Sequence, residues 1–270
     1  MPNHARIALL GVPYDAASSF QRGAALGPVA IRDAFASEAT NGWTESMVDL
    51  RAPGVMIDAG DVGVTGTDGD VRARIEAAMT ALLASGNRPI VLGGDHSITY
   101  PLVRAARRRF PKLAILHLDA HGDLYDTFEG NKYSHACPFA RIMEERLADR
   151  LVQVGIRTMN KHQREQADRF GVEVVTMRDW NEDRVFSFAE PLYVSVDLDA
   201  LDPAFAPGVA HREPGGLSTR QLLAIIQRVR ATVIGADVVE CNPKLDPAGI
   251  TPWAAAKIVR ELAARVLEHD

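Results

Sequence analysis

Residues 113–123 read Leu-Ala-Ile-Leu-His-Leu-Asp-Ala-His-Gly-Asp, and this stretch decides the fold class. Residues 113–118 are apolar at nearly every position, which is typical of a strand covered on both faces in a parallel sheet. Three side chains able to bind a metal follow at once: Asp119, His121 and Asp123. Open parallel sheets bind ligands at the carboxyl ends of their strands, so this arrangement indicates an α/β protein with its site at that edge.

The rest of the chain repeats this alternation of strand and helix. Short aliphatic or β-branched runs are separated by amphipathic stretches, as crossover helices between parallel strands require. Gly27-Pro28 and residues 217–219 (Leu-Ser-Thr) are typical helix starts. We therefore predict one domain over residues 1–270, with a three-layer α/β/α fold and a mainly parallel central sheet. The predicted strands are 7–10, 89–92, 113–118, 151–154, 173–176, 191–196 and 232–239, and the predicted helices are 29–37, 71–84, 99–109, 138–146, 161–169, 219–229 and 251–267.

Composition disfavours several function classes. Apolar residues make up 47% and charged residues 24% of the chain, as in ordinary globular proteins, and no apolar run approaches the roughly 20 residues that cross a bilayer. The formal net charge of -5 gives no indication of nucleic acid or an anionic membrane as a partner. The first residues lack an apolar core of signal-peptide length, and the two cysteines, Cys137 and Cys241, fit a reducing compartment. We expect a cytoplasmic protein.

Two further polar motifs follow predicted strands. Residues 93–97 (Gly-Gly-Asp-His-Ser) come after strand 89–92, and their glycines allow a sharp turn that presents His96 at the sheet edge. Taken alone, a histidine in such a loop is more often a hydrogen-bonded structural residue. Residues 195–199 (Ser-Val-Asp-Leu-Asp) again place two alternating carboxylates at the end of an apolar strand. Asp202 precedes a proline, so we expect it to cap a turn.

Alternation predicts that these side chains converge on a metal. Residues 119, 121 and 123 share one parity, so an extended backbone directs all three side chains to one side. A solvated acidic loop is the alternative, but it gives no reason for alternation directly after a buried strand, and close carboxylates are costly without a cation. The six predicted ligands are His96, Asp119, His121, Asp123, Asp197 and Asp199.

The charges of this set indicate the kind of metal centre. Four carboxylates and two neutral imidazoles balance two divalent cations. A set rich in oxygen and free of thiolate suits Mn²⁺ better than a structural Zn²⁺ site. Two ions about 3.5–4 Å apart can generate a nucleophile from water near neutral pH.

Together these motifs resemble the three metal-binding signatures of the ureohydrolase family, which includes arginases and agmatinases. The resemblance runs along nearly the whole chain and is greatest to the plant-type arginases. Residues 128–136 (Phe-Glu-Gly-Asn-Lys-Tyr-Ser-His-Ala), 153–157 (Gln-Val-Gly-Ile-Arg) and 202–209 (Asp-Pro-Ala-Phe-Ala-Pro-Gly-Val) carry that similarity. It implies an arginase-like fold, two Mn²⁺ ions per subunit and assembly into trimers or hexamers. Gly122 departs from the family, where plant-type relatives usually carry Pro and agmatinases often Thr, and we expect only a local effect on the loop.

The resemblance also implies a role for each site residue. Asp119 and Asp197 would bridge the two metals, with His96 and Asp123 completing one set of ligands and His121 and Asp199 the other. His135 matches the family's proton-shuttling histidine; without the resemblance it would be read as a loop imidazole. Glu240 matches the carboxylate that receives the guanidinium; a salt bridge is the structural alternative. Asp199 would also return a proton to the departing amine.

The implied reaction splits urea from a guanidino compound. The similarity to plant-type arginases favours L-arginine, with agmatine, guanidinobutyrate and guanidinopropionate as alternatives. The family reads the far end of its substrate in residues 124–133, so the predicted substrate contacts besides Glu240 are Asn131 and Ser134. Lys132 and residues 160–161 (Asn-Lys) are further polar candidates.

Two other classes are disfavoured by the same residues. A deacetylase with one zinc ion needs fewer ligands, and a non-catalytic relative usually loses some of them, whereas this chain has all six and Glu240. A nucleotide-binding protein is disfavoured because no Gly-x-Gly-x-x-Gly motif follows the first strand.

Overall fold

Eight parallel strands form one continuous sheet in the computed structural model, which describes residues 7–268. The neighbouring strands pair in the order β2-β1-β3-β8-β7-β4-β5-β6, and every pair is parallel. The strands are β1 (Ile7–Val12), β2 (Met56–Asp61), β3 (Arg88–Gly93), β4 (Ala114–Leu118), β5 (Arg150–Ile156), β6 (Glu173–Thr176), β7 (Leu192–Asp197) and β8 (Val233–Val239).

Helices cover both faces of this sheet, which confirms the predicted three-layer fold. Residues of α1, α6 and α7 belong to one buried apolar cluster, and residues of α2, α3, α4 and α5 belong to the other. Among residues 7–268, no helix is long and apolar enough to cross a membrane. The helices are α1 (Gly27–Ala36), α2 (Asp68–Ala84), α3 (Thr99–Arg109), α4 (Pro138–Glu144), α5 (Lys161–Phe170), α6 (Thr219–Arg228) and α7 (Thr251–Leu267).

The central strands are buried along their whole length because helices lie on both sides of them. All residues of β4, β7 and β8 are buried, and in β3 only Arg88 is partly exposed. All seven predicted strands and all seven predicted helices are present, with ends that differ by a few residues. Ser218 caps α6 and forms a capping box with Gln221, as the predicted helix start requires.

The edge strand β2 is the element that sequence reasoning missed. Its residues are exposed except for the partly buried Met56, and the stretch 58–61 (Asp-Ala-Gly-Asp) has the composition of a turn. It pairs with β1 along only one side, and Arg32 of α1 holds it through ion pairs with Asp58 (2.8 Å) and Asp61 (2.6 Å). A polar, charged edge strand lacks the apolar pattern of a central strand, and its charges discourage pairing with another chain.

Candidate metal centre

The carboxyl ends of three of the four central strands (β3, β7 and β4) bring His96, Asp119 and Asp197 together. His96 opens a short 3-10 turn after β3, and the Asp95 side chain caps that turn by accepting a hydrogen bond from Ser97 N (3.1 Å). Asp119 follows β4, and Asp197 is the last residue of β7. All three of these site residues are buried, so their side chains meet below the protein surface.

Close approach of the backbone explains the paired glycines before His96. A Cβ atom on Gly94 would lie 1.8 Å from Tyr14 O, and one on Gly93 would lie 2.5 Å from a methyl carbon of Val239. Neither glycine has a positive φ angle, so the sharp turn that we predicted is not the reason for glycine here. Glycine is required because a side chain would not fit at either position. Gly94 also accepts a hydrogen bond from Glu240 N (2.8 Å), which ties the β3 and β8 ends together.

His96 faces three carboxylates with one ring nitrogen. Its Nδ1 atom is 3.2 Å from an oxygen of each of Asp119, Asp123 and Asp197, and it has no hydrogen-bond partner. Its Nε2 atom is 2.9 Å from Ser195 Oγ, whose hydroxyl donates to Asp237 (2.6 Å). Since that hydroxyl already donates its hydrogen, Nε2–H is the donor to Ser195 and the lone pair of a neutral His96 lies on Nδ1.

A lone pair directed at three carboxylates is stable only when a cation lies between them. The donor set therefore fits a divalent metal ion. In the ion-free protein a proton takes that place: although burial opposes it, the carboxylates of Asp119, Asp123 and Asp197 raise the pKa of His96 well above 6.5.

A second group of ligand atoms lies beside the first and shares Asp119. Its members are Asp119, His121 and Asp199, whose ligand atoms all lie within 4.8 Å of one another. His121 Nδ1 is 2.9 Å from Asp199 Oδ2 and 3.4 Å from Asp119 Oδ1. Although burial opposes it, the Asp199 and Asp119 carboxylates raise the pKa of His121 to about 12. Asp119 thus directs one oxygen to each group.

The six predicted ligands converge, although strict alternation along a strand is not the cause. After β4 the chain bends, and Asp123 has a φ angle of +48°, in the left-handed region. Glu240 has a φ angle of +65°. Each such non-glycine residue costs roughly 1–3 kcal/mol. Two of them at one site show that the surrounding structure holds these carboxylates in place against local backbone preference.

His135 links Glu240 to the cavity mouth. Its Nδ1 atom is 2.8 Å from Glu240 Oε1, and its Nε2 atom accepts a hydrogen bond from Ser19 N (3.2 Å) and lies 2.8 Å from Ser19 Oγ. Although burial opposes it, Glu240 raises the pKa of His135 to about 9. The Ser19 N–H donates to Nε2, and this contact favours an imidazole that is unprotonated at that atom.

A cavity opens from these residues toward the surface. Its inner wall contains the charged residues His121, Asp123, His135, Asp197, Asp199 and Glu240. Its outer wall contains Ser19, Tyr125, Phe128, Thr158, Gln163 and His211.

Asn131 and Ser134, the predicted substrate contacts, do not line this cavity. Asn131 is exposed, and its side chain accepts a hydrogen bond from Tyr133 N (2.9 Å). Ser134 is buried, with its hydroxyl 3.5 Å from Ala17 O. Lys132 is exposed and lies over the Tyr133 ring, 5.1 Å from its centroid. Direct contact of Asn131 or Ser134 with substrate stays a prediction.

Three residues near the centre were missed from the sequence: Ser19, His211 and His117. The His211 ring lies 5.7 Å from that of His121 and 5.2 Å from that of His135, measured between centroids. Only His117 had a signal that could have revealed it, because it is the one polar residue in the apolar run 113–118. Ser19 and His211 lie in loops of ordinary composition.

An acid-and-imidazole cluster at the carboxyl ends of a fully parallel sheet that is covered on both faces is the arrangement of a metal-binding α/β protein. Residues 5–264 match the family model described as "Arginase family". The "Arginase 1, mitochondrial" of Arabidopsis thaliana is 49% identical over 97% of this chain and 81% of that protein. The solved structure of an arginase from Medicago truncatula superposes with a TM-score of 0.94 at 46% identity, covering 97% of this chain and 87% of that one. The chain therefore belongs to the arginase family, whose members hydrolyse guanidino carbon–nitrogen bonds.

The expectation of a cytoplasmic location is wrong. Plant relatives at 48–49% identity carry the words mitochondrial or chloroplastic/mitochondrial in their names, and none of these names indicates the cytoplasm. The expectation depended in part on two cysteines, both free and buried, which fit any reducing compartment and cannot separate one such compartment from another.

Proposed function

We propose that this protein hydrolyses L-arginine to urea and ornithine with two Mn²⁺ ions. The observation that carries the proposal is the unpaired His96 Nδ1 facing three carboxylate oxygens at 3.2 Å, in a cavity whose inner wall also contains Glu240. The substrate is supported by the relatives: arginases of flowering plants are 43–49% identical to this chain, whereas an agmatinase of Neisseria meningitidis is 39% identical.

The proposed ligands fall into two sets that share their bridging members. His96 and Asp123 would hold one ion, His121 and Asp199 would hold the other, and Asp119 and Asp197 would contribute to both. The shared role of Asp119 is supported by its two oxygens, which face His96 and His121 respectively. Four carboxylates neutralise two divalent ions, and the absence of sulfur ligands favours Mn²⁺. When bound, the two metal ions supply a nucleophile from water and stabilise negative charge that develops beside them.

Glu240 receives the guanidinium in this proposal. A carboxylate matches the planar fork of a guanidinium, and burial strengthens the pairing. Oε1 of Glu240 already accepts hydrogen bonds from His96 N (3.0 Å) and from His135, which fixes the direction of the carboxylate. The substrate carbon would thereby be held between Glu240 and the metal ligands.

Proton transfer involves two further residues. Asp199 lies on the inner wall beside His121 and would deliver a proton to the departing amine. His135 would exchange protons with solvent, because its Nε2 atom is directed at the partly exposed Ser19 and its Nδ1 atom at Glu240.

The outer wall would contact the far end of the substrate. Neither Lys nor Arg is found among its residues in the part of the chain that the structure describes. The α-carboxylate of arginine would therefore be bound by neutral donors such as Thr158, Gln163 and the Tyr125 hydroxyl. Agmatine lacks this carboxylate. Because the donors are neutral, they would not discriminate between arginine and agmatine through a charge–charge interaction.

Urea release tests the proposal directly. The purified protein is loaded with Mn²⁺ and assayed separately with L-arginine, agmatine and 4-guanidinobutyrate, with and without a chelator. Chelator-sensitive release that is strongest from L-arginine is the expected result. Preference for another compound would overturn the substrate assignment, and absence of metal binding would overturn the metal centre.

Two further aspects of the organisation are proposed on the same basis. A single domain over residues 1–270 is supported by one continuous sheet and by a family match over residues 5–264. Assembly into trimers or hexamers stays a prediction, and sedimentation of the purified protein would measure it.

A further inference from the structure

A row of buried polar side chains crosses the sheet just below the metal centre. Gln153 of β5, His117 of β4, Ser195 of β7 and Asp237 of β8 occupy matching positions in the strand register. Each of them is fully buried in otherwise apolar strands. Four polar residues side by side in a sheet core are costly unless each has hydrogen-bond partners.

The row divides into two halves that serve different ligands. Ser195 and Asp237 hold His96 through its Nε2 atom, as described above. His117 belongs to the other half, and its Nε2 atom is 2.7 Å from Asp119 Oδ2. Gln153 Nε2 lies 3.0 Å from His117 Nδ1 and donates to Gly122 O (2.6 Å).

These contacts define the tautomer of His117. The Gln153 amide nitrogen has two hydrogens, of which one goes to Gly122 O and the other to His117 Nδ1. Nδ1 is therefore an acceptor, and the ring hydrogen is on Nε2, where it is donated to Asp119.

The position of the His117 ring is also fixed by packing. Phe139 of α4 stacks on it with centroids 3.9 Å apart and planes inclined by 27°. The His96 ring lies edge-on at 5.0 Å. A ring held on two sides has little freedom to turn, so its hydrogen bond fixes the orientation of the Asp119 carboxylate.

We propose that His117, held by Gln153, is a positioning residue that fixes the orientation of Asp119, so that one carboxylate oxygen faces each metal ion. The inference rests on the proposed metal-dependent function. Groups that hydrogen-bond to metal ligands typically change metal affinity or activity by 10–100-fold when they are replaced. The expected consequence is weaker metal binding, with the protein still folded.

Mn²⁺ affinity tests this role without any assay of turnover. Free Mn²⁺ is followed by its electron paramagnetic resonance signal while the ion is titrated into the metal-free full chain. His117→Phe retains an aromatic ring against Phe139 but removes the donor, and we expect at least one Mn²⁺ site to weaken by 10–100-fold. His117→Gln places an amide donor near the former Nε2 position and should recover most of that loss.

Two other variants separate positioning from general damage. Gln153→Leu removes the donor to His117 Nδ1 but leaves the imidazole in place, so we expect a smaller loss, of several-fold. Glu76→Gln is the matched control, since it weakens the ion pairs that join the buried Glu76 of α2 to the more exposed Arg104 and Arg108 of α3. It should lower the melting temperature and leave Mn²⁺ affinity unchanged.

The outcomes distinguish the inference from the function on which it depends. If the wild-type chain binds no Mn²⁺, the proposed function fails. If it binds Mn²⁺ and His117→Phe binds it equally well, or if His117→Gln is as weak as His117→Phe, the positioning role is overturned. If His117→Phe does not fold, Gln153→Leu decides, and unchanged affinity in that variant overturns the proposal.

Discussion

The inner and outer ends of the cavity are built in different ways. At the inner end, most of the charged residues lie at or just after the ends of buried strands, and a row of buried polar side chains supports the neighbouring His96 and Asp119. At the outer end, side chains such as Tyr125 and Phe128 come from loops and are partly exposed. The proposed chemistry is thus attached to the buried centre of the fold, and the proposed choice of substrate to loops that can vary without disturbing the sheet.

The inner end is also a site of high electrostatic cost in the ion-free protein. Burial, followed by the charges of Asp199 and Asp119, raises the pKa of Asp197 well above 3.8. In its charged form Asp197 therefore opposes folding when no cation is bound. Binding free energy from the metal must therefore offset a cost that the outer end does not have.

Asp197→Asn gives the largest expected effect. An amide resembles the protonated acid that burial favours, so the metal-free variant should be at least as stable as the metal-free wild type near pH 8. Saturating Mn²⁺, at about 1,000 times its Kd, should stabilise the wild type by about 4 kcal/mol, or roughly 8–16 °C in Tm. The variant should lose most of this shift, and its rate of urea release should fall by about 1,000-fold or more.

Calorimetry with and without Mn²⁺ measures both parts of this prediction. A metal-free variant clearly less stable than the metal-free wild type would show that Asp197 is structural and that the electrostatic comparison is wrong.

His135→Asn sharpens the comparison at the boundary between the two ends. Asn is too short to connect Glu240 with Ser19, so proton exchange should slow and kcat should fall by about 100-fold. The Mn²⁺ content should stay at the wild-type level, because His135 belongs to neither group of ligand atoms. Turnover that matches the wild type at every pH would remove His135 from the mechanism.

The pH dependence of stability is the next smaller effect. The pKa of His135 is raised from 6.5 to about 9 in the folded protein. A raised pKa gives stability that is fully present below pH 6.5 and is lost as the pH rises through about 9. The pair with Glu240 should therefore contribute at most about 3 kcal/mol near pH 6 and little at pH 10.

Urea unfolding of the metal-free wild type and of metal-free His135→Asn, at pH 6, 7.5 and 10, measures this contribution as a difference. The difference in unfolding free energy should shrink as the pH rises. A difference that grows with pH would show that His135 does not stabilise the folded protein through its protonated form.

The same contrast explains what the sequence could predict. The apolar strands and the acid-and-imidazole motifs behind them identified the fold and six residues that converge, because burial and charge leave a pattern in the residues themselves. The path of the chain was less predictable: Asp123 and Glu240 reach the site through left-handed backbone that no motif indicates. The edge strand β2 was missed because it lacks the apolar pattern.

The outer wall was the least predictable part. Asn131 and Ser134 were chosen because they are polar and lie in the right loop, but the direction of a loop side chain depends on tertiary contacts. The Asn131 side chain closes its own turn on Tyr133 N, and the Ser134 hydroxyl is directed at Ala17 O. Tyr125 and Phe128 line the cavity instead. Neither ring differs in sequence pattern from an ordinary loop aromatic.

Tyr125→Phe is the smallest effect and the one that tests the outer end directly. The Tyr125 hydroxyl accepts a hydrogen bond from Asn160 Nδ2 (2.6 Å), and Asn160 caps α5 beside Gln163, so this phenol joins two parts of the outer wall. Its removal should raise KM for L-arginine about 3- to 10-fold, as expected for one lost hydrogen bond, and leave kcat within about twofold. KM for agmatine should change less, because agmatine has no carboxylate for these donors to bind.

Tyr100→Phe is the control, since it removes a phenol that bonds to Glu145 outside the cavity. A fall in kcat with unchanged KM would mean that the outer wall takes part in the chemistry and that the division between the two ends does not hold.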